Sequence, residues 1–353
     1  MPRRNQETAS EASWTEARPA RQILGALVMT LVVSTLLAPP AQAVGVCLNI
    51  ANVAFKACQS EIADDFWTAA GVCANNEDAD ARADCLDDAR SELGEGRDLC
   101  SEQRDARREL CRDLDENRYD PDFDPADFAT EFTNQNPYFP LAPGNTWEFI
   151  EGEETITVEV LDAYKSIEGV TAIVVHDLVE EDGKAIEDTN DWYTVATNGD
   201  VYYVGESVQN FELFDGDDPD DPELVDVDGS WKTGRDGAKP GIQMFASPAA
   251  GTFYRQEIAL GDAEDSAEIL ATDYSYGEDA ELDAFVPQEL AELLCDGDCL
   301  VIREFTPIEP GAEGLKYYAP GVGQFLEVKP DSGDTSVLVS CNVDPRCAML
   351  PEP

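Results

Sequence analysis

Charged and phenolic side chains gather at four places in the second half of the chain: Arg255 with Glu257, Glu264 with Asp265, Arg303 with Glu304, and Lys316 with Tyr317 and Tyr318. In a strand, side chains alternate between faces, which puts Arg255 and Glu257 on one face with Phe253. Arg255, Glu257, Arg303, Lys316 and Tyr318 are therefore the candidate ligand-binding set. Such a set could grip an anionic or sugar ligand, or carry the tyrosine- and carboxylate-based acid–base steps of a polysaccharide lyase or hydrolase. The competing reading is cross-strand ion pairing, common in so acidic a chain. His176 is the single histidine, which rules out histidine-based metal clusters, and its apolar surroundings read as packing. No G-x-S-x-G elbow, phosphate loop or dinucleotide fingerprint occurs, so no catalytic residue is assigned and the balance is against an enzyme.

A second constellation concerns cations. Asp120, Asp122 and Asp124 stand at positions 1, 3 and 5 of a twelve-residue run that ends at Glu131, the ligand spacing of a calcium loop. Pro125 occupies the place where that loop needs glycine, and Phe128 stands at position 9, so the match is partial. Calcium is the one cofactor this spacing allows, and no other is expected. The alternative is a stiff connector, since closely spaced prolines extend a chain.

These residues must be held by elements, and the cysteines show the first of them. Cys47, Cys58, Cys73, Cys85, Cys100 and Cys111 are separated by 10, 14, 11, 14 and 10 residues, a mirror order. Steps of 11 and 15 residues bring thiols back to one helical face, within roughly 20° and 60°. Fifteen pairings are open, and the mirror favours the nested one: Cys47 with Cys111, Cys58 with Cys100, Cys73 with Cys85. That describes an antiparallel helical hairpin with its tip within 71–79, Asn76 as the second helix's N-cap, and Gly94 and Gly96 as weak points. Its apolar stripe of Leu48, Ala51, Ile62, Phe66 and Leu86 is too thin to hold two helices without the rungs. Cys295, Cys299, Cys341 and Cys347 should form two further disulfides, either within each close pair or, at least as plausibly, crossed to pin the tail to the sheet.

Residues 1–43 read as a secretory signal, with an apolar run over 23–38 and a small-x-small site at Ala41-Gln42-Ala43. No later run is long enough to span a membrane once that segment is removed. Ten cysteines suit an oxidising compartment, periplasmic or secreted. The formal charge of −51 disfavours nucleic acid and anionic membranes as partners and leaves small molecules or glycans.

From Asn136 the hydrophobic period changes from helical to two. Asp182-Gly183 and Asn198-Gly199 mark hairpin turns in a meander over 170–180, 185–197 and 200–206. Further strands are expected at 155–162, 251–260, 266–275, 299–306, 315–319, 323–329 and 335–340, with an exposed acidic loop over 215–229 and a short helix over 287–294. So many antiparallel strands must curl or split. The expected fold class is α+β: a signal (1–43), a disulfide-stapled helical hairpin (44–118), an Asp/Pro linker (119–135), an antiparallel β domain in the form of a curved sheet, half-barrel or barrel-like sandwich (136–345), and a tail (346–353).

The order of a cysteine-rich helical head, Arg118-Tyr119-Asp120-Pro121-Asp122-Phe123-Asp124-Pro125, then Asn136-Pro137-Tyr138-Phe139-Pro140-Leu141, Asp191-Trp192-Tyr193 and Lys316-Tyr317-Tyr318-Ala319-Pro320-Gly321, resembles a group of exported bacterial proteins. The resemblance spans most of the chain beyond the signal. It implies export and a shared β domain, and carries over no catalytic residue. Taken together, these features predict an acidic, exported binding or structural module of the cell envelope or extracellular space, with a carbohydrate-active lyase or hydrolase as the alternative.

Overall fold

The six mirror-spaced cysteines lie on two antiparallel helices, α1 (Gly45–Ala74) and α2 (Ala79–Asp113), and pair as nested rungs with Cα separations of 5.8, 5.8 and 5.6 Å. The computed structural model describes residues 45–115, 118–214 and 216–351; the secretory segment expected over 1–43 lies outside them. The N-cap of α2 is Asp78 rather than Asn76. Its carboxylate accepts from the amides of Asp80 and Ala81, a job for which a charged oxygen beside the helix's positive end is the better group. Gly96 is no weak point: a Cβ there would meet Ile62 Cδ1 at 2.7 Å, so the missing side chain lets the helices close. Of the expected stripe only Ala51 is fully buried, and the cysteines, Ala54 and Ala89 make up much of the rest of the seam.

The β domain is built from β1 (Thr146–Glu151), β2 (Glu154–Ile167), β3 (Val170–Glu181), β4 (Lys184–Val195), β5 (Val201–Glu212), β6 (Glu223–Asp226), β7 (Lys239–Met244), β8 (Phe253–Arg255), β9 (Glu257–Ile258), β10 (Ser266–Tyr274), β11 (Cys299–Phe305), β12 (Glu313–Ala319), β13 (Gly323–Val328) and β14 (Thr335–Cys341), with α3 (Gln288–Leu294) before β11. They form one antiparallel sheet in the order β8-β10-β11-β12-β13-β14-β1-β2-β3-β4-β5-β7-β9, with β6 branching from β5. Its two ends, β8 and β9, are consecutive in the chain and separated only by Gln256, so the sheet curls into a nearly closed barrel. At this seam Gly241 lies against the Gln256 backbone so closely that any side chain would collide with it. The Asp182-Gly183 turn joins β3 to β4 as a two-residue hairpin, whereas Asn198-Gly199 sits inside a longer connection, 196–200, between β4 and β5. Strands β1, β6 and β7 fall outside the expected set, and β6 sits within the acidic 215–229 segment with all four residues exposed.

The remaining cysteines close locally, Cys295 with Cys299 and Cys341 with Cys347, not crosswise. The Asp296-Gly297-Asp298 turn and a 3-10 turn at Pro345–Met349 bring each pair to Cα distances of 5.3 and 5.2 Å. The tail is nonetheless pinned, by Arg346, whose guanidinium donates to the carbonyls of Leu294 and Pro320 and to Asp344. The Asp/Pro segment is docked on the barrel's outer face. Phe123 packs against Trp192, Ile167 and Val204, Phe128 lies edge-on to Tyr202, and the Tyr119 hydroxyl donates to Pro240 O.

Candidate functional site

Ladder partners share a face of the sheet, and one face points into the barrel. The pairs Val175 with Asp191, Ile173 with Tyr193 and Tyr193 with Tyr203 carry a mixed apolar and acidic set inward from β3, β4 and β5. Across the interior stand Glu304 and Lys316, and Gln256 and Glu257 come from the seam. Two adjoining cavities result. One of about 180 Å³ is walled by Phe139, Leu141, Trp147, Phe149, Val158 and Val160 among others. The other, of about 200 Å³, is walled by Glu187, Thr189, Glu206, Glu257, Asp265 and Glu304. Asp177, Asp191, Tyr193, Gln243 and Lys316 belong to both walls.

The acidic half holds seven carboxylates and one ammonium. Lys316 ion-pairs with Glu304 at 2.6 Å and faces Glu327 at 3.8 Å. Burial alone would push it down, but these carboxylates hold its pKa well above the ordinary lysine value. Glu304 also accepts from Gln256 at 2.5 Å, and Asp191 from the Tyr203 hydroxyl at 2.6 Å. Burial, reinforced by neighbouring acids, pushes Asp177 and Glu206 up to about 8 and Asp265 to about 6. Asp191 rises to about 6, burial being partly offset by the Tyr203 hydrogen bond. Glu257, only 6 % exposed, is held well above the carboxylate range by burial and then by Asp265 and Glu206. The Trp231 indole opposes that rise, yet among the described residues Glu257 Oε2 and Trp231 Nε1 each lack a hydrogen-bond partner, as does Asp177 Oδ1. Asp177, Glu206 and Lys316 are half-buried and line the chamber wall.

The candidate ligand-binding residues divide between the faces. Glu257 and Lys316 are brought together in the acidic half, and fully buried Tyr318, two residues on from Lys316, lies close enough to couple to its charge. Arg255 and Arg303 lie outside. Arg255 sits under the hairpin, within 5.7 Å of the Tyr119 ring and beside Cys47 and Arg107. Arg303 pairs with Glu268 at 2.7 Å and Glu313 at 3.4 Å. The expectation that Arg255 and Glu257 share a face fails because the chain bends at Gln256, where it leaves β8 and enters β9, and alternation does not carry across the bend. His176 meets Asp188 at 3.0 Å on the outer face.

Asp120 pairs with Lys239 at 2.7 Å, Asp124 caps a 3-10 turn at Pro125–Asp127, and that turn takes the place of the calcium loop's bend. Among the described residues no three acidic, histidine or cysteine side chains converge as metal ligands.

Asp177, Asp191 and Glu206 were not among the expected site residues. A signal for the first two was present: Asp177 keeps the phase of Ile173 and Val175, and Asp191 that of Tyr193 and Val195, so each carboxylate falls where its strand points inward. Glu206 lies beyond a register shift near Gly205, where that phase is broken. The five disulfides account for all ten cysteines and fit an oxidising, extracellular setting. No helix among the described residues is long and apolar enough to cross a membrane. Compared with protein-family models, curated proteins and solved structures, the chain has no match, and its site is read from its own geometry.

Proposed function

We propose that this is an exported binding protein, periplasmic or secreted, that holds a small molecule inside its barrel. The observation that carries this reading is the chamber itself. A cavity wall that buries Glu257 and Asp177 with unpartnered oxygens costs stability, and such groups are retained where a ligand completes them. The apolar half supplies area and the acidic half supplies orientation, the usual division of labour in a small-molecule site. The test is native mass spectrometry of the protein purified from the exporting host. A discrete small-molecule adduct is expected, present in the wild type and lost in Val160→Trp, which fills the apolar half. An adduct retained by that variant, or none after export under native conditions, would sink the reading.

A second reading, glycan cleavage, has one arrangement in its favour: Asp191 and Glu206 are cross-strand partners on β4 and β5, and both line the chamber. Asp191 and Glu206 have pKa values pushed to about 6 and about 8, so near neutral pH one is mostly ionised and the other mostly protonated, as an acid–base pair requires. Turnover of a polysaccharide with a bell-shaped pH profile, abolished by Glu206→Gln, would favour it. Arg255 has no part in that chemistry, since it lies outside the barrel.

A further inference from the structure

The two halves of the chamber differ in what they can solvate. Beyond the shared wall, the apolar half presents Phe139, Leu141, Trp147, Phe149 and Val160, and a hydrocarbon group there would be desolvated at a gain. The acidic half is short of positive charge. Seven carboxylates face one ammonium, and that ammonium, Lys316, is already committed to Glu304 and Glu327. Glu257 Oε2 and Asp177 Oδ1 have no donor, and Glu257 is more than nine-tenths buried. Tyr193 and Tyr203 stack with centroids 4.8 Å apart beside these carboxylates and form a rigid aromatic part of the wall.

A bare divalent ion fits this arrangement poorly. It needs several oxygens on one point, and among the described residues no three carboxylates converge so closely. They stand instead dispersed on β3, β4, β5, β9 and β11 and just before β10, around a space of about 200 Å³. A primary ammonium on a carbon chain has three N–H donors spread in different directions and can reach dispersed acceptors. An anion would meet these acidic groups head-on, whereas an ammonium arriving among Asp177, Asp191 and Glu257 would favour the ionised forms that burial otherwise disfavours, a gain that a neutral polyol does not offer.

We propose that the chamber takes an organic amine with an apolar arm, its ammonium among Asp177, Asp191 and Glu257 and its arm against Phe139, Trp147 and Val160. This rests on the reading of the chamber as a binding site and adds the chemical class of the ligand. Tyr193 and Gln243, common to both halves, line the passage between head and arm.

The test is titration calorimetry on the full exported chain with five probes: n-hexylamine, 1-hexanol, hexanoate, putrescine and calcium chloride. Hexylamine should bind saturably, about tenfold or more tighter than hexanol or putrescine, each of which lacks one half of the match, and hexanoate should not bind. Glu257→Gln should weaken hexylamine about tenfold and leave hexanol within about twofold, with Asp177→Asn as the second variant should the first misfold. Hexanol or hexanoate binding as tightly as hexylamine, and lost in Val160→Trp, would overturn the amine while leaving a small-molecule site. Saturable calcium binding that displaces hexylamine would overturn the organic cation in favour of a metal. Failure of all five to bind would remove this inference alone if the native protein carries an adduct sensitive to Val160→Trp, and both readings if it does not.

Discussion

Neighbouring acids and bases on these strands do opposite work. Glu304 faces the chamber while Arg303 ties β11 to its neighbours outside, and Asp265 faces in while Glu264 reaches out to the hairpin. The inward members govern the pH response. A carboxyl whose pKa is raised by folding binds its proton more tightly in the folded chain than in the unfolded one. Its contribution is then favourable below the ordinary carboxylate value and is lost as pH climbs through the folded value. Asp177, facing Asp191, Glu187 and Lys316, and Glu206, facing Asp191, Glu187, Asp265 and the Tyr203 hydroxyl, run from 3.8 and 4.5 to about 8. The ligand-free protein should therefore melt highest near about pH 5 and several degrees lower near about pH 9. Substituting Asp177→Asn with Glu206→Gln should flatten that slope in thermal melts followed by circular dichroism; an unchanged slope would mean that these two carboxyls do not set it. Half of this site was legible in the sequence. The doublets at 264–265 and 303–304 marked the right places, and simple alternation would have said which member turns inward. The bend at Gln256 was not legible, because it arises from the two ends of a closed sheet meeting, which no local pattern records.

At the scale of elements, the hairpin and the barrel meet through a buried ion pair. Arg107 on α2 gives Glu264 three hydrogen bonds of 2.7 to 3.1 Å, and Gln103 donates to Ile308 O a turn earlier. Arg107→Ala would strand the Glu264 charge in a buried site and should cost roughly 3–5 kcal/mol in chemical denaturation. The paired change to Arg107→Met with Glu264→Leu should recover most of that loss, and a single change of under about 1 kcal/mol would show that the hairpin's docking rests on other contacts. The hairpin itself was readable because mirror spacing is a geometric statement. Strand β7 was not, since Lys239-Pro240-Gly241 has the composition of a turn and pairs as a strand only because Gly241 can lie on the seam.

For the whole molecule, the charge of −51 acts as a field. The acids are spread over hairpin, loops and barrel, so screening by sodium chloride should raise the melting temperature gradually. Calcium at matched ionic strength should add little, given that Asp120 and Asp124 are engaged in an ion pair and a cap. A saturable rise at sub-millimolar calcium, lost in Asp122→Asn with Asp124→Asn, would restore the 120–131 run as a site.

One strand stands apart from the closure. Apart from the end strands β8 and β9, the strands on the barrel path pair on both sides, but β6 branches from β5 and, among the described residues, pairs with no second strand, leaving Leu224 and Val225 in the open. Such an edge invites a second copy to pair with it. Here it is bracketed by Glu223 and Asp226 and follows Asp217, Asp218, Asp220 and Asp221, so two copies approaching edge to edge bring like charges together. Pairing through this edge is thereby opposed by ionisation, an opposition that protonation of these carboxylates in acid would lift.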